Sequence, residues 1–197
     1  MSKTQRMVRI ALFATLTATG AYIVLPLPFT PVPFTLQLLF TLLSGLVLGP
    51  QDGAISQLVY MALGILGVPV FAGGNAGLGV LIGPTGGYLV GFVLASYVVG
   101  YCRIYAGRRV WSPVKQGIVI GSLGLGIVHG LGAWWLASSQ QIGFGQALAL
   151  GCMPYIIPDA IKWSGAVVVA EALERVVPHP QPGQGGGRDI SFPRGAN

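Results

Sequence analysis

Three long stretches of this chain carry no Asp, Glu, Lys or Arg: residues 10–51, 53–102 and 116–158. A helix that crosses a bilayer needs about 20 largely apolar residues. Residues 53–102 alone are therefore long enough for two crossings. Soluble domains carry about 25% charged residues, whereas this chain carries 8% and is 53% hydrophobic. The pattern predicts an all-α integral membrane protein that crosses the membrane several times.

Proline, glycine and charge divide the chain into six expected spans: residues 7–25, 35–48, 54–66, 88–105, 116–136 and 154–177. Residues 7–25 follow a basic start, as a signal peptide would. They lack a small-x-small cleavage site and further spans follow, so they read as the first membrane helix. "PLPFTPVPF" then forbids a continuous helix, because proline lacks the amide proton and restricts the residue before it. "FAGGNAGLGVLIGPTGG", residues 71–87, reads as a glycine-rich loop, and residues 137–153 as a connector with room for a short helix. Pro154 suits the first turn of the last span. Residues 1–177 form one six-helix domain, and residues 178–197 have the Gly- and Pro-rich composition of a disordered cytoplasmic tail.

The net charge of +6 could indicate a nucleic-acid partner, but the placement of the basic residues explains it better. With the N-terminus inside, Lys3, Arg6, Arg9, Arg103, Arg108, Arg109, Lys115, Arg175, Arg188 and Arg194 all lie in or beside cytoplasmic segments, and the outer loops hold no Lys or Arg. Cytoplasmic loops of membrane proteins carry such an excess. The expected arrangement is thus multi-pass, with both termini cytoplasmic, in a lipid bilayer and with no nucleic acid. Trp134 and Trp135 fall at the outer end of the fifth span, where aromatic belts form. Cys102 and Cys152 fall at opposite faces and should not pair.

Lys162 is the remaining basic residue, and it lies with Asp159 in "PYIIPDAIKWSGAVVVA". The two are three residues apart and share a helix face. At 1.5 Å per residue they lie roughly 8–12 Å below the outer end of the span. Charges at membrane depth cost about 2.5–3.5 kcal/mol each even on lenient scales and mark function by default. The bland reading is a buried ion pair that locks the bundle, but such pairs stabilise poorly against apolar replacements. The functional reading is a cradle for a small polar ligand: the carboxylate accepts N–H groups and the ammonium donates.

Other polar features converge on the same side. They are Gln37 at the start of the second span, Gly74 and Asn75 in the glycine-rich loop, and Tyr88 and Tyr155. Glycines let a backbone approach a ligand closely. For Tyr60, Tyr88 and Tyr155 the alternative is interfacial anchoring or core packing, and His129 reads as an interhelical hydrogen-bonder rather than a ligand or proton relay. "GPTGG" is no phosphate loop, for it lacks the required lysine. Asp159 has no second carboxylate, no HExxH and no serine–histidine arrangement beside it, so an enzyme is not expected. Opposite charges on one face beneath a capping loop also argue against a pore.

"PVPFTLQLL", "GILGVPVFAGG", "LIGPTGGYLVG" and "PDAIK", in that order, resemble the BioY family, the biotin-binding S components of energy-coupling-factor (ECF) vitamin transporters. The resemblance runs from about residue 7 to 177. It implies a six-helix S-component-like bundle in a prokaryotic plasma membrane, with outer loops capping a ligand site and biotin as transported substrate rather than cofactor. Asp159 and Lys162 match the family's polar pair and Asn75 a loop position that reaches the ligand. Pro158 stands where the family often has glycine. The implied partners are a transmembrane coupling subunit and two ABC-type ATPase subunits, which other S components can share. The family docks through an Ala-x-x-x-Ala face on its first helix. Ala14 and Ala18 have that spacing, and Ala11 lies one turn earlier; the bland reading of these alanines is packing inside the bundle. The alternatives are an S component for a different vitamin, or a solitary biotin transporter without partners.

Overall fold

The structure, a computed structural model, describes residues 2–106 and 113–176. It contains six longer helices and two short ones among those residues. These are α1 (Lys3–Tyr22), α2 (Gln37–Leu48), α3 (Pro50–Ile65), α4 (Leu78–Ile82), α5 (Gly86–Ala106), α6 (Pro113–Gln140), α7 (Phe144–Gly151) and α8 (Ile156–Val176). The six longer helices correspond to the six expected spans. By length and composition α5 and α6 could each cross a membrane, over Gly86–Tyr105 and Lys115–Gln140, and α2 is a shorter apolar helix. The expected tail and the residues 107–112 of the basic loop lie outside the described residues.

Local chemistry explains where the boundaries differ from expectation. Helix α1 starts at Lys3 rather than residue 7, because Ser2 and Gln5 form a reciprocal capping box. It also stops at Tyr22. Val24–Leu25 then pairs antiparallel with Phe34–Thr35 as strands β1 and β2. Leu25 precedes Pro26, which disfavours helical backbone there. The glycine-rich segment is partly helical: a 3-10 turn at Ala72–Gly74 is followed by α4. The last span begins later than expected. Pro154 belongs to a 3-10 turn, Met153–Tyr155, and Pro158 occupies the first turn of α8, where its missing amide proton is no loss.

Helices α2 and α5 form the centre. Helix α5 packs against α2, α3 and α6, while α2 also meets α1, α3 and α8. In lipid such contacts rest on close approach and interhelical hydrogen bonds rather than on hydrophobicity. Both are visible. A Cβ at Gly45 of α2 would lie 2.4 Å from the carbonyl oxygen of Ser96 in α5, so only glycine allows this crossing. Around it lies a buried polar cluster. Thr41 Oγ1 donates to Gln57 Oε1 at 3.1 Å, Gln57 Nε2 donates to Thr17 and Ser44 at 3.2 Å, and Ser44 bonds Ser96 at 2.8 Å. Four helices are thereby joined through satisfied polar groups. Gly49 (φ 83°) adopts the left-handed backbone that turns α2 into α3.

Ala14 corrects the expected docking face. It is 2% exposed and packs in the bundle core, with Ala18 partly buried beside it. Ala11 is exposed. Ala14 therefore serves internal packing, and the open side of α1 is the one that carries Ala11, Thr15 and Thr19.

Candidate functional site

A cavity of about 630 Å³ opens at the end of the bundle where α1 finishes and α2, α5 and α8 begin. The β1–β2 segment walls one side and the 71–85 segment covers another. Tyr155 fastens the first wall, for its hydroxyl donates to the Val32 carbonyl. Tyr22 fastens the cover by donating to the Pro69 carbonyl, and Gly77 N–H donates to the Gly64 carbonyl at 2.7 Å. Proline and glycine thus build irregular backbone at this end, where it lines a cavity rather than lipid.

The structure brings Asp159 and Lys162 together in the cavity wall. Lys162 Nζ donates to Asp159 Oδ1 at 2.7 Å, and the two residues are 6% and 2% exposed. The ammonium also stands 3.8 Å from the centre of the Phe34 ring, a cation–π contact. His129 of α6 meets the other carboxylate oxygen, with Nε2 2.8 Å from Oδ2. The sequence had shown the pair but neither Phe34 nor this histidine contact. Phe34 sits in the quoted "PVPF" segment, and only the fold swings its ring over Lys162.

The remaining expected residues divide. Gln37 lines the cavity but is held by its neighbours. Thr35 Oγ1 donates to its Oε1 at 2.9 Å, and its Nε2 donates to the Tyr60 hydroxyl. Tyr88 lines the cavity with its ring, while its hydroxyl donates to the Gly151 carbonyl at 2.9 Å. Tyr88 seats because Gly132 and Gly151 leave room; a Cβ on either would fall within 2.2 Å of its ring or hydroxyl. Tyr155 also lines the cavity, and its hydroxyl is the one already bound to Val32. Asn75 lines it too, with Nδ2 donating to the Ala72 carbonyl at 2.7 Å. Gly74 departs from expectation. The wall is drawn from Gly73 and Asn75, and Gly74 (φ 80°) turns toward Tyr22, whose ring lies 3.6 Å from where its Cβ would stand.

Chemically the site is an apolar bowl with one charged spot. Leu27, Val32, Leu38, Val80, Leu89 and Phe92 supply hydrocarbon wall. Asp159 and Lys162 offer an acceptor and a donor side by side. Such a bowl takes a small amphipathic molecule, with orientation set by the few polar groups.

The model of the BioY family matches residues 1–179. Among individual relatives, the "Probable biotin transporter BioY" of Pyrococcus horikoshii is 42% identical over 165 residues, covering 84% of this chain and 93% of that one. The "Biotin transporter BioY" of Thermotoga maritima is 36% identical over 172 residues, covering 87% and 97%. The crystal structure of the S-component for biotin from an ECF-type ABC transporter superposes with a TM-score of 0.81 at 27% identity, covering 89% of this chain and 95% of that one. A match over nearly the whole helical region, in sequence and in fold, places this chain in the BioY family.

Proposed function

We propose that this chain captures biotin at the cavity and is the substrate-binding subunit of an ECF-type uptake system in a prokaryotic plasma membrane. The observation that carries the reading is the buried Asp159–Lys162 pair set in a largely apolar cavity wall. Biotin presents a ureido ring with two N–H donors and one carbonyl acceptor, a thioether bicycle and an apolar chain ending in a carboxylate. Asp159 accepts a ureido N–H; Lys162 donates to the ureido oxygen or the carboxylate; the hydrocarbon wall covers the rest. The family is one of transporters rather than enzymes.

The chain crosses the membrane six times with both termini cytoplasmic, and the cavity opens outward. Its sequence holds no G-x-x-x-x-G-K-[ST] motif, so ATP-driven uptake draws on ATPase subunits and a coupling subunit supplied by other chains. The exposed Ala11 side of α1 is the docking surface for that coupling subunit.

Calorimetry with biotin on the purified full-length protein tests the reading. Saturable binding that other vitamins do not displace supports it. No binding overturns it, and displacement by a second vitamin assigns the site to that vitamin. Uptake with and without the coupling proteins separates shared from solitary operation.

A further inference from the structure

The charged spot has a third member on a different helix. Lys162 occupies Asp159 Oδ1 at 2.7 Å, and His129 occupies Oδ2 at 2.8 Å. An ionised carboxylate only accepts, so His129 Nε2 carries the proton of this bond. The imidazole is fixed on its other sides as well. Tyr88 meets it edge-on and Tyr155 lies roughly parallel to it, each with ring centres 6.4 Å away. The Cys152 thiol donates to the backbone carbonyl of His129 at 3.5 Å, which ties α6 to the turn before α8 rather than holding the ring. His129 Nδ1 is buried with no hydrogen-bond partner among the described residues, so the ring's orienting hydrogen bond among them is the one to Asp159.

This arrangement settles a difficulty in using Lys162 for binding. A ligand carbonyl or carboxylate must draw Nζ at least partly off Asp159. Asp159 is 2% exposed, and stripping one partner from a buried ion pair leaves an uncompensated charge, which is strongly unfavourable. A carboxylate held only by Lys162 would therefore oppose the ligand. With His129 on Oδ2, Asp159 keeps a donor while Lys162 turns.

We propose that His129 is a positioning residue of the ligand site: it holds Asp159 in place, so that the Lys162 ammonium is free to meet the ligand. The proposal rests on the biotin reading above and gives α6, whose Val128 and His129 line the cavity, a polar role in the site. It makes the N–H group of residue 129, rather than its bulk, the feature that binding requires.

The test is calorimetry with biotin on purified full-length wild type, His129→Leu and His129→Gln. Losing a hydrogen bond to a charged group predicts roughly 10- to 150-fold weaker binding for His129→Leu. His129→Gln keeps a side-chain N–H donor and should recover most of that loss. Unchanged affinity in His129→Leu, or equal loss in both variants, overturns the proposal. If His129→Leu does not fold, imidazole nitrogen NMR on ¹⁵N-histidine-labelled protein decides. The chain has two histidines, His129 and His179, and His179→Asn assigns the signals. A protonated Nε2 whose shift moves in Asp159→Asn and moves again on adding biotin to the wild type is expected; a signal indifferent to both overturns the proposal. Wild-type protein that binds no biotin overturns the biotin reading and this proposal with it, whereas binding wild type with an indifferent His129 overturns this proposal alone.

Discussion

Asp159 holds Lys162 on one oxygen and His129 on the other, so each atom of the carboxylate has a defined task. Asp159→Asn replaces one acceptor by an NH₂ that faces a donor, and Lys162→Met removes the ammonium while leaving the shape. Each change should weaken biotin binding, measured by calorimetry, by about tenfold to over a hundredfold. Wild-type affinity in both would return the pair to a purely structural role. Phe34→Leu keeps the apolar wall but removes the ring face from Lys162. A cation–π contact of about 0.5–2 kcal/mol predicts roughly 2- to 30-fold weaker binding. The visibility of these residues in the sequence differed for a physical reason. Two charges in an apolar helix stand out because membrane depth makes them expensive. The histidine contact joins residues 30 apart on different helices, and no local spacing encodes it. Gly74 and Gly73 are chemically identical in the sequence; only the backbone turn decides which of them faces the cavity.

The number and order of the long helices could be read directly, because lipid demands long apolar runs and proline and glycine end them. Their ends were less visible. The Ser2–Gln5 capping box that extends α1 is present as "SKTQ", but it sits among charges that the hydropathy pattern excludes. The strand pairing of residues 24–25 with 34–35 depends on how the proline-rich segment folds back, which no periodicity announces. Helix α4, only Leu78–Ile82, is too short to impose a period. Packing between elements gives a separate prediction. The crossing of α2 over α5 relies on Gly45, whose added Cβ would meet backbone that cannot yield. Gly45→Val should destabilise the fold by about 1–3 kcal/mol through overpacking, seen as an earlier thermal transition in detergent. Gly45 is not part of the cavity wall, so the fraction that remains folded should bind biotin with near-normal affinity. A thermal transition identical to wild type would show that the crossing tolerates a wider spacing.

The described residues are polarised along the bundle axis: Lys3, Arg6, Arg9, Arg103 and Lys115 at one end, an apolar bowl with its charged spot at the other. On the proposed topology the basic end faces inward, as the bias of membrane insertion favours. In a background with Cys102→Ala and Cys152→Ala, an impermeant thiol reagent should label Ser138→Cys in intact cells and Ser2→Cys only after permeabilisation; the reverse pattern would invert the orientation. On the proposed function the same polarity would separate ligand capture from docking on α1. Ala11 is exposed, and the hydroxyls of Thr15 and Thr19 on its side of the helix donate to the carbonyls of Ala11 and Thr15 at 2.9 Å. These three positions are small and demand no further hydrogen bonds, and they lie beside the exposed Val8 and Leu12, so the side offers another helix in lipid both a place of close approach and apolar side chains to pack on. Ala14, one turn from Ala11 on the neighbouring flank of the helix, is 2% exposed and already inside the core. Ala11→Trp should therefore abolish ATP-driven uptake in cells that carry the coupling proteins and leave biotin affinity near normal. Ala14→Trp should instead destabilise the bundle, because an indole cannot enter a filled core without displacing it. The pair of variants is read together, by equilibrium binding, thermal stability and uptake. Uptake that survives Ala11→Trp would move docking off this face, and a stable, binding-competent Ala14→Trp that fails only in uptake would show that α1 turns its other side outward when the partner is present.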